Sequence, residues 1–521
     1  MPPIYSKEWK TAVVSMQGLM RQNRTSPCEA ACPAGNNIQK MHSLLAEGRV
    51  DDALLAMYAK NPFPGVTGRV CPHPCEEKCN RCGYDEGLAI HALERYAADH
   101  GRSPVLTPLP PTGRRVAVIG AGAAGLTAAR FLRQFGHDVT VYESSPVRDV
   151  TLSGLLSDCD ACILAAGLWK ERLLNIPGRE YLQTAVSWMK KSTLERIGLE
   201  GKEVVILGGG GIAFDAAFTA RRLGAAGVRM ICLEAEGAMH APEAEVAQAR
   251  DEHIAMENSM LAAAVESDGE GGFTVAAVPV SGFSFDEKGA LHVQESVEER
   301  KRFSAHLVVC ASGLQADLTA LSGLDAELTP RGFVAVDPVS RMSSIPGLFA
   351  AGDIASGPGL LTSAIGSGRE TALAVHRFLS GFAADSSLDV WLGDEGRLET
   401  AERKALPAPH VVELDEIMHV DYPEHAPRAA VSHGRESGRQ LAFAELEGGL
   451  CAEDAAKEAA RCLHCGHCIS CGSCVESCPG HILEMGGDGP FVAWPEQCWH
   501  CGCCRIACST GSVSYRFPLT M

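Results

Sequence analysis

Two repeated cysteine runs near the end of the chain constrain its fold more than any other feature. The spacing C-x2-C-x2-C-x3-C occurs at Cys468, Cys471, Cys474 and Cys478, and again at Cys498, Cys501, Cys504 and Cys508. In a doubled run of this kind, three closely spaced thiolates hold one [4Fe–4S] cluster and the fourth crosses to the other cluster. We therefore expect one cluster on Cys468, Cys471, Cys474 and Cys508, and another on Cys498, Cys501, Cys504 and Cys478. Zinc is the rival metal, and eight thiolates in this doubled pattern argue against it.

A second group of cysteines lies near the start of the chain. It comprises the runs Cys28-x3-Cys32 and Cys71-x3-Cys75-x3-Cys79, with Cys82 just beyond. Four ligands complete one cubane, so this group suffices for one cluster and not for two. The best three ligands are Cys32, Cys71 and Cys75, and the fourth is Cys28, Cys79 or Glu94.

The pair Cys462 and Cys465 extends the two-residue spacing upstream of the C-terminal runs. The sequence offers no partner pair for it, so we interpret the pair as unligated. The prediction is then three [4Fe–4S] clusters, two C-terminal and one N-terminal, with about twelve irons per chain.

Composition indicates a globular chain with an acidic surface. Hydrophobic residues make up 46% and charged residues 21%, and the formal net charge is -18. That charge argues against nucleic acid or an anionic membrane as the main partner. We see no signal peptide at the start and no apolar run long enough to span a membrane, so we expect a cytoplasmic protein. Twenty-two cysteines in such a chain favour metal binding over a disulfide framework.

A dinucleotide-binding turn follows the first predicted strand, Arg115–Ile119. It reads Gly120-Ala-Gly-Ala-Ala-Gly125 and leads into a helix that ends near Phe135. In such a turn Gly120 permits the tight bend, Gly122 lets the backbone approach a pyrophosphate, and Gly125 lets helix and strand pack closely. Ala123 and Ala124 complete the turn, and Glu143, at the end of the next strand, can accept a ribose hydroxyl.

A second turn of the same type follows the strand Glu203–Leu207. Its small residues are Gly208, Gly210, Gly211 and Ala213, and the next strand ends on Glu234. An acidic group there pairs with a free ribose 2′-hydroxyl and repels a 2′-phosphate, which favours NADH over NADPH. The alternative is that Glu234 is only a solvated strand end.

A third element favours a flavin. Residues 347–353 form a short buried strand that ends on Gly352 and Asp353, and a helix begins near Thr362 and Ala364. The carboxylate can hold a ribityl hydroxyl while the helix N-terminus faces the electron-rich side of the flavin ring. Strands at 161–167 and 307–313 end in Ala-x-Gly, at Gly167 and Gly313, as crossovers between two nucleotide-binding halves would.

The predicted fold class is α/β, with two Rossmann-like dinucleotide-binding domains between an N-terminal helical iron–sulfur domain and a C-terminal α+β bacterial-ferredoxin domain. The predicted boundaries are 1–108 for the helical [4Fe–4S] domain, 109–200 and 305–385 for the FAD-binding domain, 201–304 for the NAD(P)-binding domain, 386–455 for an extended linker and 456–521 for the ferredoxin domain.

Residues 24–380 resemble the small (beta) subunit of glutamate synthase and the electron-entry half of dihydropyrimidine dehydrogenase. The matching stretches are 28–36, 61–75, 116–125, 204–217 and 347–369. The C-terminal module is similar to ferredoxins fused to stand-alone relatives of that subunit. The resemblance implies FAD on the first Rossmann-like domain, a nicotinamide nucleotide on the second, and clusters that conduct electrons onward.

The sequence departs from that family at three places. The family's further Cys-x-x-Cys upstream of Cys28 is absent, which removes half of a second N-terminal cluster. The arginine pair that often marks NADPH users is replaced by Glu234-Ala235. Glu143 and Ala165 are only 22 positions apart, so one wall of the flavin site is missing.

The leading prediction is an oxygen-sensitive oxidoreductase subunit that passes electrons from NADH through FAD and [4Fe–4S] clusters. The acceptor would be a partner subunit or a soluble ferredoxin, and no side chain need act as an acid or base. One alternative is an iron–sulfur electron-transfer or scaffold subunit that has lost its flavin. Another is a disulfide reductase that uses Cys159 and Cys162.

Overall fold

The computed structural model describes most of the chain outside its two ends. The described residues are 24–143, 150–287, 290–296, 299–383, 386–392, 398–404, 408–417, 423–432, 443–486, 489–494, 497–499 and 501–513. Most of the shortened segment after Glu143, residues 144–149, lies outside them.

The helices in chain order are α1 (Pro27–Ala31), α2 (Ile38–Ala46), α3 (Val50–Tyr58), α4 (Pro64–Val70), α5 (Pro74–Glu77), α6 (Ile90–His100), α7 (Ala123–Gln134), α8 (Leu152–Asp158), α9 (Ala185–Glu195), α10 (Gly211–Arg222), α11 (Glu243–Asp251), α12 (Asp353–Ser356), α13 (Leu361–Ser380), α14 (Ala452–Ala460), α15 (Ser473–Glu476) and α16 (Cys503–Ile506).

The strands in chain order are β1 (Arg24–Thr25), β2 (Arg115–Ile119), β3 (Asp138–Tyr142), β4 (Ala161–Leu164), β5 (Lys170–Glu171), β6 (Gln183–Thr184), β7 (Glu203–Leu207), β8 (Gly227–Ile231), β9 (Ala255–Glu257), β10 (Met260–Ser267), β11 (Phe273–Phe285), β12 (Leu291–Glu295), β13 (Lys301–Ala305), β14 (Leu307–Cys310), β15 (Leu314–Gln315), β16 (Leu348–Ala350), β17 (Ser386–Leu392), β18 (Leu398–Lys404), β19 (His410–Val411), β20 (Leu483–Gly486) and β21 (Gly489–Val492).

The N-terminal region is helical, as predicted. Helix α1 begins where the Ser26 hydroxyl accepts a hydrogen bond from the backbone N–H of Glu29, with Pro27 at the first helical position. Helix α2 buries the apolar positions that recur at helical spacing in the sequence, which are Ile38, Met41, Leu44 and Leu45. These side chains share one core with α6 and α14.

The first Rossmann-like domain is a parallel sheet in the order β16-β4-β2-β3. Helices α7 and α13 contribute Phe131, Leu132 and Val375 to its core. Because all four strands run parallel, their carboxyl ends meet at one edge, where ligands of such sheets bind. That edge carries Gly120, Glu143 and Asp353.

The second Rossmann-like domain is a parallel sheet in the order β6-β14-β7-β8-β9. Strands β6 and β14 lie outside the predicted limits of 201–304, so those limits differ from the sheet that the structure forms. The two crossovers run side by side as the antiparallel pair β5 and β15. An antiparallel sheet of β10, β11, β12 and β13 packs against this domain.

Residues 386–455, predicted as an extended linker, contain the antiparallel hairpin β17–β18. Strand β19 pairs in parallel with β1, and Tyr84 Oη donates to the carbonyl of Pro423. The described parts of this stretch from residue 408 onward therefore pack on the helical domain. The C-terminal module consists of the hairpin β20–β21 and the short helices α15 and α16 around a core of its own. No helix among the described residues is both long enough and apolar enough to cross a membrane.

Candidate redox site

The first glycine turn has the close contacts that a pyrophosphate-binding turn requires. Gly120 has φ +109°, and a Cβ there would lie 2.3 Å from the carbonyl oxygen of Ala165. A Cβ at Gly125 would lie 1.9 Å from the carbonyl oxygen of Gly120. A Cβ at Gly122, the N-cap of α7, would instead meet nothing within 4 Å, so the backbone there is open to an approaching anion.

Glu143 lies beside this turn, at the carboxyl end of β3. Its Oε2 accepts a hydrogen bond of 2.5 Å from the backbone N–H of Ala121. The residue is exposed, so the carboxylate is fixed next to the turn while it remains accessible to a ribose.

The strand end at 347–353, which the sequence predicts to bind a flavin, lies against the first glycine turn. Gly352 has φ +71°, and a Cβ there would lie 2.9 Å from the Cβ of Ala124 and 3.9 Å from that of Ala364. Asp353 follows it as the first residue of α12, and burial raises the pKa of its carboxyl despite a backbone hydrogen bond at Gly359. The turn, the carboxylate and the start of α13 therefore surround one place at the sheet edge.

The second glycine turn repeats the same geometry. Gly208 has φ +136°, and a Cβ there would lie 2.6 Å from the carbonyl oxygen of Ala311. Gly210, the N-cap of α10, has open space where its Cβ would be, while Ala213 is fully buried behind the turn. Gly211 is the first residue of α10. The crossover glycines Gly167 and Gly313 have φ +65° and +100° and lie just after β4 and β14.

Glu234 reaches into the second turn. A Cβ at Gly209 would lie 2.4 Å from its Oε2, and that oxygen is buried with no hydrogen-bond partner. The other oxygen, Oε1, is 3.3 Å from His240 Nδ1. Its side chain is only 14% exposed, which differs from a solvated strand end. A buried carboxylate oxygen without a donor is a feature that a ribose hydroxyl would satisfy.

A second acidic group at this turn was missed from the sequence. Glu245, in α11, places its Oε2 4.0 Å from the Cβ position of Gly211, and that oxygen also has no partner. Burial, followed by repulsion from Asp215, raises the pKa of Glu245 to about 7. Its position opposite α10 could not be inferred from local spacing.

The N-terminal thiols divide into two groups. Cys32, Cys71 and Cys75 line one cavity together with Glu94. Glu94 is buried in that wall, where Asn61 Nδ2 donates to its Oε1 at 3.0 Å. Burial raises the pKa of Glu94 to about 7 against the hydrogen bonds from Thr67 and Asn61. Of the three candidates for a fourth ligand, Glu94 is the one that lines this cavity.

Cys28 and Cys79 are not among the residues that line this cavity. They belong to a buried core that also contains Cys75 and against which both Cys32 and Cys462 pack. Cys82 is exposed, and its thiol donates to the carbonyl of Glu76 at 3.3 Å.

The cavity of Cys32, Cys71 and Cys75 adjoins the flavin-domain helix α13. The Cys71 Sγ is 3.8 Å from Thr362 Oγ1. A Cβ at Gly366 would lie 2.1 Å from the carbonyl oxygen of Pro33, and Arg369 Nη1 donates to the carbonyl of Ala34 at 2.6 Å. The thiols therefore lie at the end of α13 that faces the flavin side of the sheet.

A histidine–carboxylate group beside this cavity was also missed from the sequence. His91 Nδ1 lies 2.8 Å from Glu76 Oε1, and the rings of His91 and His73 stack with centroids 3.7 Å apart. Burial alone would lower the pKa of His91, but hydrogen bonds to Glu447 and Glu76 raise it to about 9. Glu76 also pairs with Arg428, so the group forms an ion-paired wall of the cavity.

The eight C-terminal cysteines line two cavities. One is lined by Cys478, Cys498, Cys501 and Cys504, and the other by Cys468, Cys471, Cys474 and Cys508. The structure thus brings together the same sets of four that the spacing indicates.

No set of three thiols among the described residues is close enough to hold a single zinc ion. Among the described residues, the one group of three ligand atoms within 4.8 Å of one another is His73, Glu76 and His91, and no set of three thiols meets that limit. Zinc, with bonds to sulfur of about 2.3 Å, needs its ligands within about 4.6 Å of one another. These donor sets suit a polynuclear group with thiolate ligands.

The pair Cys159 and Cys162 does not form an accessible dithiol. Cys162 is fully buried in β4, and burial, followed by repulsion from Cys159, raises its pKa to about 12. A buried thiol that resists ionisation is a poor nucleophile. The disulfide-reductase alternative has no support at this position.

Family models match the chain in three places. Residues 147–368 match the pyridine nucleotide-disulphide oxidoreductases, residues 118–147 an NAD(P)-binding Rossmann-like domain, and residues 20–104 the 4Fe-4S cluster domain II of dihydropyrimidine dehydrogenase. These matches confirm the predicted α/β fold class with an N-terminal iron–sulfur domain.

Curated relatives match most of the chain. The beta subunit of NADP(+)-dependent formate dehydrogenase from Moorella thermoacetica is 29% identical over 515 residues, which cover 85% of this chain and 70% of the relative. The beta subunit of NADPH-Fe(3+) oxidoreductase from Geobacter sulfurreducens is 26% identical over 514 residues, which cover 85% and 75%.

The small chain of glutamate synthase [NADPH] from Azospirillum brasilense is 31% identical over 415 residues, which cover 67% of this chain and 86% of the relative. The resemblance expected from the sequence is confirmed, and with it the FAD, NAD(P)H and [4Fe–4S] chemistry of an oxidoreductase. The chain therefore belongs to the glutamate synthase small-chain family of NAD(P)H-dependent iron–sulfur flavoproteins.

Proposed function

We propose that this chain is the electron-entry subunit of a larger enzyme. It takes electrons from NADH in preference to NADPH and delivers them through [4Fe–4S] clusters to a partner subunit or a ferredoxin-like acceptor. The observation that carries the proposal is the contact between Cys71 and Thr362, because it places a set of candidate cluster ligands against the flavin-domain helix.

The two glycine turns would bind different cofactors. The turn at Gly120 to Gly125, with Glu143 and Asp353, would hold FAD, and the turn at Gly208 to Ala213 would hold the nicotinamide nucleotide. Bound FAD supplies the conversion of a two-electron hydride donor into single electrons, which clusters can carry. The side chains bind and orient, and none is needed as an acid or base.

The preference for NADH rests on the acidic character of the second turn. Both Glu234 and Glu245 direct an unpartnered buried oxygen toward it. A 2′-phosphate would meet these carboxylates without a compensating arginine, whereas a 2′-hydroxyl can donate to one of them. This preference would set the chain apart from the relatives named for NADP(+) and NADPH.

The clusters would use the thiol sets that line common cavities. The N-terminal one takes Cys32, Cys71 and Cys75, with Glu94 as the fourth ligand. The C-terminal ones take the two sets of four cysteines in the ferredoxin module. Cysteine thiolates are the usual ligands of such clusters, and the module follows the bacterial ferredoxin spacing.

A partner protein is proposed as the acceptor. The formate dehydrogenase and iron oxidoreductase relatives are named as beta subunits, and the glutamate synthase relative is a small chain. With a net charge of -18, this chain would favour a basic docking surface on that partner.

A pair of matched glycine variants tests the proposal. A Cβ at Gly122 or at Gly210 meets no protein atom within 4 Å, so valine at either position should leave folding intact while it fills the space of a phosphate. We expect Gly122→Val to lose FAD, and Gly210→Val to keep FAD but lose NADH binding. Both are measured by flavin content and by anaerobic NADH oxidation with a one-electron acceptor dye.

Each variant serves as the control for the other. If Gly122→Val retains full FAD, the first turn is not the flavin site. If wild-type protein with full FAD oxidises neither NADH nor NADPH, the electron-entry function is wrong.

A further inference from the structure

The thiols of Cys28, Cys79, Cys462 and Cys465 come together from the two ends of the chain. Cys28 and Cys79 are buried in a core that also contains Cys75, and Cys462 packs against this core. Asn80, the neighbour of Cys79, hydrogen-bonds the Cys465 thiol and donates to the carbonyl of Val412 at 2.8 Å. We call these four residues the bridging thiols.

The bridging thiols act on one another electrostatically. Burial raises the pKa of Cys28, and repulsion from Cys462 and Cys79 raises it further. Burial likewise raises the pKa of Cys462, with added repulsion from Cys465 and Cys79. All four are free thiols.

A buried polar network fixes the segment that carries Cys462 and Cys465. Glu458 accepts hydrogen bonds from the backbone N–H of Ala89 at 2.8 Å and from Arg461 at 2.9 Å. Arg81 Nη1 donates to the carbonyl of Arg461 at 2.9 Å. Gln39 Nε2 donates to the carbonyl of Cys465, also at 2.9 Å. Because these contacts are buried, the segment is held against the helical domain on both sides of Cys462.

The chemistry of the donor set distinguishes between metals. Among the described residues, no three of the bridging thiols lie within 4.8 Å of one another. A single zinc ion needs them closer than that, whereas a cubane spaces its four ligands over its corners. The eight ferredoxin cysteines share this property.

We propose that Cys28, Cys79, Cys462 and Cys465 hold a fourth [4Fe–4S] cluster. In this site the Cys-x-x-Cys from the C-terminal part of the chain takes the place of the pair that is absent upstream of Cys28. This proposal departs from the interpretation of Cys462 and Cys465 as unligated, because folding brings them to a partner pair that the sequence order hides. About sixteen irons per chain follow, in place of about twelve.

The position of this cluster gives it a role in electron transfer, and this role rests on the proposed function. The ferredoxin module contacts the helical domain here, since Arg24 Nη1 donates to the carbonyl of Gly511 at 2.7 Å and His467 Nε2 lies 2.8 Å from Glu29 Oε2. The bridging thiols therefore lie between the cavity of Cys32 and the ferredoxin module. An electron that enters from the flavin side would pass through this cluster before it reaches Cys468 and its set.

Iron and acid-labile sulfide in anaerobically purified full-length protein test the site. We expect about sixteen irons and sixteen sulfides per chain. The double variant Cys462→Ser/Cys465→Ser should lose about four of each, whereas Cys451→Ser, an exposed cysteine outside all four sets, should lose none.

Twelve irons in the wild-type protein would overturn the proposal whatever the variants do, and so would twelve irons with one zinc. An unchanged iron count in the double variant would also overturn it. This measurement needs neither nucleotide nor flavin turnover, so its failure is distinguishable from failure of the proposed function.

Discussion

At the scale of single residues, Glu234 bears most directly on nucleotide choice. Its Oε2 is buried at the second glycine turn without a partner. Arginine there would offer a 2′-phosphate a bidentate partner and would remove the acceptor for a 2′-hydroxyl. We expect Glu234→Arg to lower kcat/KM for NADH about tenfold or more and to raise it for NADPH, which steady-state kinetics with both nucleotides will show.

Glu236→Arg is the matched control for that variant. Glu236 lies two positions farther along the chain, and its side chain is 80% exposed. The Glu236→Arg substitution therefore makes the same change in charge away from the glycine turn. Equal shifts in both variants, or none in either, would mean that Glu234 does not contact the nucleotide.

A buried histidine pair makes the first Rossmann-like domain sensitive to acid. His137 Nε2 lies 2.9 Å from His376 Nδ1, and the His376 ring stacks on Phe135. Burial lowers the pKa of each histidine to about 4. Between about pH 6.5 and pH 4 the unfolded chain binds more protons than the folded chain, so stability falls as the pH drops through this window.

We expect the free energy of unfolding of this domain to fall by on the order of 2 kcal/mol per histidine from pH 7 to pH 5. His376→Asn removes one titrating ring and should flatten that dependence, although it lowers stability at pH 7 because the stacking on Phe135 is lost. Denaturation temperatures at several pH values measure both. His292→Asn, at an exposed position, should keep the wild-type dependence, and a steep dependence retained in His376→Asn would refute this assignment.

At the scale of elements, the connection after β3 decides how firmly the flavin is held. The described chain stops at Glu143 and resumes at Val150, just before α8, whose N-cap Thr151 accepts from Gly154 N–H at 3.1 Å. In the proposed site, the ADP end of FAD would keep the first glycine turn, Glu143 and Asp353. We expect the shortening to remove apolar cover for the flavin ring, and with it part of the burial that stabilises binding.

We therefore expect weak, readily lost FAD in the isolated chain and firmer binding in the complex with its copurifying partner. The dissociation rate of FAD from the two preparations, measured by recovery of flavin fluorescence, makes the comparison. Tight stoichiometric FAD in the isolated chain would show that another segment closes the site.

Helices, strands and turns that follow local sequence patterns were predictable from the sequence. The assignment of strands to the two sheets was only partly predictable. The strand–turn–helix units at Gly120 and Gly208 were predictable from the spacing of their glycines. Only a residue without a Cβ fits at these two positions, because the carbonyl oxygens of Ala165 and Ala311 lie so close. Strands β6 and β14 belong to the second sheet although they lie outside its predicted limits of 201–304. They are short, and only the pairing of β14 with β7 and of β6 with β14 assigns them to the second sheet.

At the scale of the whole molecule, contacts between distant segments bring together the proposed cluster ligands. The two ferredoxin sets could be read from sequence, since each comes from a compact module. The bridging thiols could not, because their scaffold joins residues as far apart as Gln39 and Cys465, 426 positions along the chain.

An anaerobic titration of the flavin-containing protein with NADH tests most directly whether nucleotide electrons reach the clusters. Absorbance follows the flavin, and low-temperature electron paramagnetic resonance follows reduced [4Fe–4S] clusters, with dithionite as the reference for full reduction. We expect NADH to reduce the flavin and then the clusters, and to reduce no cluster in Gly122→Val. Clusters that dithionite reduces but NADH leaves oxidised, in wild-type protein with full FAD, would contradict the electron-entry function.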